Sequence, residues 1–128
     1  MLRYALALIV VASAIFGGTA IASAPDPFAG AWYGTDESDG SDVRVQISMD
    51  ANGVRTVVFT DNRTGSQCGG GPARAISTGT VSGLTLTVSG TIRCPNFTVP
   101  FDNGHWYASP SGDSLTDDFG LELHRQGS

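Results

Sequence analysis

The chain reads as an all-β protein: a small antiparallel up-and-down β-barrel of about eight strands, with a β-sandwich as the alternative arrangement. Three observations carry that expectation. Apolar and polar residues alternate in run after run, turn sequences separate the runs at short intervals, and no stretch beyond the N-terminal segment shows a helical apolar stripe.

The first residues belong to export. Met1-Leu2-Arg3 is a positive start, YALALIVVASAIFGG is apolar, and TAIASA is small, which is the three-part pattern of a secretory signal peptide. Cleavage is expected after Ala22, because a cut after Ala24 would place Pro25 directly behind it. Residues 1–22 are then the signal and residues 23–128 a single domain, secreted or periplasmic. Gly17, Gly18 and Thr19 interrupt the apolar run, and no Cys follows the small residues, so neither a retained span nor a lipid anchor is expected. A domain of this length buries a modest core. The full chain carries seven Lys+Arg, all of them Arg, against twelve Asp+Glu, a net charge of -5. Such a surface repels phosphate backbones and excludes nucleic acid as a partner.

The strands follow in order. AWYGT comes first, then VRVQISM, in which Val43, Val45, Ile47 and Met49 share one face. DANG (50–53) has the chemistry of a type I turn closed by a glycine bulge, and that register puts Val57 and Phe59 of RTVVFTD on the side of Val45 and Ile47. ARAISTGTV and LTLTVSGTIRC form the next hairpin. A two-residue Ser82-Gly83 loop predicts pairing of Val81 with Leu84, Gly79 with Leu86 and Gly71 with Cys94. The remaining runs are NFTVPFD, HWYAS, SLTD and LELHR, with DNG and SGD read as turns between them.

Two cysteines exist, Cys68 and Cys94, and an even pair in an exported chain predicts one disulfide. The hairpin register and the slack of CGGGP bring the two together. Two cysteines with no nearby His make a poor metal site. The acidic run DESDGSD has Asp36, Asp39 and Asp42 three apart and no Glu at the twelfth position, which rules out an EF-hand loop. A two-residue Asp39-Gly40 turn would set Glu37 opposite Asp42. That repulsion calls for a wider loop, for relief by Arg44, or for a weak cation held by Asp36, Glu37, Asp39 and Asp42. No nucleophile elbow or phosphate loop occurs, and Asp117 and Asp118 are adjacent, so on a strand they point to opposite faces. Catalytic residues and cofactors are therefore not assigned. Asn62-Arg63-Thr64 and Asn96-Phe97-Thr98 are formal glycosylation sequons.

Gly30-Ala31-Trp32 opens the first strand and Arg125 lies in the last, sharing one parity with Leu121 and Leu123. This resembles the calycin-type barrels, avidin-like in size and lipocalin-like in its ends. The resemblance implies that Trp32 plugs one end and that Arg125 packs across its ring. Avidin-like proteins place an Asn on biotin two residues after this Trp; here Gly34 stands there, and only Trp32 and Trp106 are present, so biotin binding is not carried over. The chain also resembles a diffuse group of exported bacterial proteins through Trp32, Thr35-Asp36, Asp39-Gly40-Ser41, Cys68 to Pro72 and Leu115 to Gly120. That group brings no activity with it.

The expected function is a non-enzymatic binding protein holding a small or apolar ligand at the barrel mouth. Trp32, Phe59, Phe101 and Trp106 are the expected lining, with Asp36 and His105 as polar contacts, and Gly30, Trp32 and Arg125 as structural residues. The alternatives are a module binding an extracytoplasmic protein, such as a protease inhibitor acting through Ser23 to Phe28, or a structural envelope protein.

Overall fold

The computed structural model describes residues 26–64 and 67–126. Eight strands run in sequence order: β1 (Gly30–Asp36), β2 (Ser41–Met49), β3 (Arg55–Asp61), β4 (Ala73–Ser82), β5 (Thr85–Arg93), β6 (Thr98–Ala108), β7 (Ser114–Asp117) and β8 (Glu122–Arg125). Each pairs antiparallel with the next, and β8 returns to β1, so the sheet closes into a barrel. Closure leaves no unpaired edge, which removes the hazard that the Thr- and Val-rich strands would otherwise present.

The alternation read from the sequence is the inside–outside pattern of the barrel. Val43, Val45 and Ile47 are buried and their neighbours Asp42, Arg44 and Gln46 exposed. Val45 pairs with Phe59 and Ile47 with Val57, across the DANG turn, where Gly53 has φ 83°. Three turns are decided by the structure, the first and third against expectation and the second for the wider of the loops the acidic run allowed. The β4–β5 loop is Gly83-Leu84, not Ser82-Gly83: Ser82 pairs with Thr85, Val81 with Leu86 and Gly79 with Val88. Gly83 takes positive φ and Leu84 does not, the pattern of a type II′ turn, whose first central position wants Gly. The slip is two residues, so every side chain keeps its face, but Leu84 moves from the interior to an exposed turn. The β1–β2 loop spans four residues, Glu37 to Gly40. Thr35 therefore opposes Asp42, and the like-charge pair of Glu37 and Asp42 does not form.

The third of these turns departs furthest from expectation. DNG is not a turn between two strands; it lies within β6, so the expected nine runs become eight strands. On β5 only Ser89 separates Val88 from Gly90, whereas on β6 Asp102 and Asn103 separate their partners Phe101 and Gly104. This is a β-bulge, with Asn103 at φ 59° in the left-handed region and Ser89 Oγ donating to Asp102 Oδ1 at 2.5 Å. The extra residue switches parity. Phe101 and Trp106 stand at odd and even positions, yet the bulge lets both point inward.

One end of the barrel is corked. Trp32 has no exposed surface, and its indole Nε1 donates to the Phe28 carbonyl at 2.9 Å. Phe28, from the lead-in before β1, is equally buried. The Arg125 guanidinium lies over the Trp32 ring, 4.4 Å from its centroid. It donates from Nε to Gly112 O at 2.8 Å, from Nη1 to Ala29 O at 2.7 Å and from Nη2 to Asp26 O at 3.2 Å. Gly30 is required beneath it: its φ is 135°, and a Cβ there would sit 2.6 Å from Arg125 Nη1. Gly34 is pinned as tightly, since a Cβ would lie 2.6 Å from the Glu122 carbonyl of β8. No Asn side chain fits at that position. Arg55 secures the lead-in from the other side through a 3.1 Å ion pair with Asp26.

At the far end the Cys68–Cys94 disulfide joins the β3–β4 loop to the end of β5. Closing that loop stabilises the fold by roughly 3–4 kcal/mol in the chain-entropy description. Its half-cystines pack with Ala73 and Ile92 in a small separate cluster. Cys94 is one residue beyond the paired end of the β4–β5 ladder, which places Ala73 and not Gly71 across from it.

Replacing Arg125 with Ala removes three hydrogen bonds and the stack on Trp32, and is expected to lower unfolding stability by about 2–4 kcal/mol in urea melts; Lys should restore only part of this. Asp26 supplies a pH signature. Burial pushes its carboxyl up, but the Arg55 hydrogen bond, the Phe28 amide and the Arg55 charge together hold it below 3.8. A depressed carboxyl contributes stability fully above the unfolded value and loses it as pH falls through the folded one. Asp26→Asn should therefore be less stable than the parent at neutral pH, with the difference shrinking below about pH 4 in thermal melts.

Candidate functional site

β1, β3, β5 and β7 run away from the cork, so the β1–β2, β3–β4, β5–β6 and β7–β8 loops gather at the opposite end. There the interior is not filled. A cavity of about 920 Å³ opens between these loops and descends into the barrel. Its wall is apolar, built by Val57 and Phe59 of β3, Ala75 of β4, Val88 of β5, Phe101 and Trp106 of β6, and Leu121 before β8. The cavity has a local cause: the inward residues that β4 contributes to its wall, Ala75 and Ser77, are small. The Phe59 and Trp106 rings, 6.3 Å apart and tilted by 40°, form the aromatic part of the wall.

The rim is acidic. Asp36, Glu37 and Asp39 come from the β1–β2 loop, Asp61 from the end of β3, and Asp117, Asp118 and Glu122 from the β7–β8 loop. None of the described lining residues is an arginine, and the sequence contains no lysine. Three of the strands that run toward the mouth end in the same dipeptide: Thr35-Asp36, Thr60-Asp61 and Thr116-Asp117. In each the Asp lies on the inward parity and its Oδ1 accepts the amide two residues on: Ser38 at 2.9 Å, Arg63 at 3.0 Å and Phe119 at 2.9 Å. These Asx turns end the strands and start the loops. The Ser41 amide donates to Asp39 Oδ1 at 2.9 Å, a contact that helps hold this carboxyl below its usual value.

A second polar group braces the β7–β8 loop from outside. Asp118 Oδ1 accepts the Tyr107 hydroxyl at 2.7 Å, and Asp118 Oδ2 lies 3.0 Å from His105 Nδ1. The Tyr107 and His105 hydrogen bonds lower the Asp118 carboxyl, and the same contact raises the Tyr107 phenol. Phe119, at the tip of this loop, is 89% exposed and overlooks the cavity.

Of the residues expected at the site, Asp36, Phe59, Phe101, His105 and Trp106 border this one cavity. Trp32 does not. It lies at the corked end, fully buried beneath Arg125, because the role that makes it a plug removes it from the mouth. Sequence reasoning passed over Val57, Ala75, Val88, Leu121, Asp61 and Asp117. The recurrent Thr-Asp at strand ends was the available signal for the last two. The acidic run presents no cation site: no group of three or more metal-ligating side chains forms among the described residues, and Asp36 and Asp39 spend one oxygen each on their own loop. No protein family, no characterised protein and no solved structure matches the chain.

Proposed function

We propose that the protein is an exported, non-enzymatic binding protein that holds a small, largely apolar ligand in the open mouth of its barrel. The observation that carries this reading is the contrast between the two ends. One is packed solid around Trp32 and Phe28, while the other keeps about 920 Å³ open between apolar walls. A domain this small gains stability by filling its interior, so leaving this end open forgoes burial that a purely structural protein would use. The size falls within the range of small-molecule pockets. The signal-like N-terminus and the disulfide support an extracytoplasmic setting.

The lead-in speaks for this reading over an inhibitor that inserts its N-terminal segment into an enzyme. Asp26 is ion-paired to Arg55 and Phe28 is wholly buried, so this part of the segment serves the cork. A segment that enters a cleft needs its side chains free.

The test is titration with the neutral apolar fluorophore N-phenylnaphthylamine. Saturable enhancement with a micromolar Kd is expected, together with a rise in melting temperature on mass action. Ala75→Leu, which fills the wall opposite Phe59, should abolish the enhancement while near-ultraviolet circular dichroism stays native. Absence of saturation in the parent, or undiminished binding in a folded Ala75→Leu variant, would remove the proposal.

A further inference from the structure

The wall of the mouth contains one carboxylate with an oxygen free of protein partners. Asp61 ends β3 on the inward parity, two residues above Phe59, and is 6% exposed. Its Oδ1 accepts only the Arg63 amide, and Oδ2 has no partner among the described residues. No arginine or histidine lies within ion-pair distance of it: the described ion pairs are Arg55 with Asp26 and His105 with Asp118. The nearest arginine in sequence, Arg63, instead turns its guanidinium to the Asp39 carbonyl. Asp61 thus differs from Asp36 and Asp117, which make the same Asx turn from less buried positions. Asp61 Oδ2 keeps its surface toward the cavity, and a carboxylate set into so enclosed a wall attracts a cation more strongly than one on open surface. Its surroundings favour a positive ligand: the Phe59 and Trp106 rings below, the carboxylates of the rim above, and no lysine or arginine in the described lining, which does include His105 and His124.

We infer that the ligand of this mouth is an organic cation, an apolar body bearing a protonated amine or quaternary ammonium, and that Asp61 is the residue that recognises its charge. The inference rests on the binding role proposed above and names the class of ligand. Successive inward positions on a strand are about 7 Å apart, so a positive group against Asp61 lays its first carbons across the Phe59 and Trp106 rings. Those rings stabilise a cation as well as its apolar body. The bulge at Asp102-Asn103 completes the arrangement by turning Phe101 to the same cavity. The surrounding carboxylates act at longer range, raising the local concentration of cations and repelling fatty acids and other anions. A bare metal ion gains little here, since the one available oxygen is flanked by apolar walls and no further ligating group joins it.

The test compares three probes with the same body and different charge: phenylbutylamine, phenylbutanol and phenylbutanoate. Binding is read by Trp fluorescence and calorimetry on the intact protein and on Asp61→Asn. The amine is expected to bind the parent on the order of thirtyfold more tightly than the alcohol, the size of effect found when a buried charge loses its partner, with the acid weakest. In Asp61→Asn the amine should fall to the level of the alcohol, while alcohol binding persists and reports that the mouth is still folded. Asp36→Asn should retain most of the preference. Equal binding of amine and alcohol by the parent, or an amine preference that survives Asp61→Asn, overturns the inference and leaves the apolar binding role standing. Failure of all three probes to bind overturns both.

Discussion

The stack of Arg125 on Trp32 is the constraint on which the rest of the barrel depends. It joins the last strand to the first, so it acts at the seam where the sheet closes. Its guanidinium gathers the carbonyls of Asp26, Ala29 and Gly112, which belong to the lead-in and to the β6–β7 loop. A guanidinium suits this place because it offers several donors in a plane and a flat face for the indole at once. The consequences spread outward. Gly30 must be glycine to admit it, Gly34 must be glycine to let β8 approach, and Phe28 is held where it completes the seal.

A cork at one end decides where function can lie. The large inward residues Trp32, Ile47, Leu86, Leu115 and Leu123 fill the corked half, and the small Ala75 and Ser77 of β4 fall in the other. The chain has divided its interior between stability and space. The disulfide ties the β3–β4 loop to the end of β5, and the Asx turns fix the starts of three of the loops around that space.

Much of the fold was legible because the alternation of apolar and polar residues is a direct consequence of strand geometry. Val43 to Met49 and Leu86 to Ile92 could be assigned faces without any knowledge of their partners. Pairing was less legible. Ser82-Gly83 and Gly83-Leu84 both offer a glycine to a two-residue turn, and a two-residue slip conserves every face, so the pattern does not distinguish them. The bulge at Asp102-Asn103 carries the same letters as a turn. Only the demand that Phe101 and Trp106 both face inward separates the two readings, and that demand comes from the closed barrel. The cork was readable from Gly30, Trp32 and Arg125 through a resemblance, but its position relative to the mouth was not, so Trp32 was expected in the wrong half. Asp61 was hidden among twelve acids because its distinction is its place, nearly buried in the cavity wall with one oxygen free of protein partners, a property of three dimensions.

The central claim is that the barrel is one-ended: sealed around Trp32 and receptive at the mouth. Methyl carbon–proton correlation spectra recorded during titration with phenylbutylamine test it most directly, because apolar side chains report from both halves. The account predicts saturating shifts for Val57, Val88 and Leu121 and unmoved signals for Ile47, Leu115 and Leu123. Shifts centred on the second group, or spread evenly over both, would contradict it.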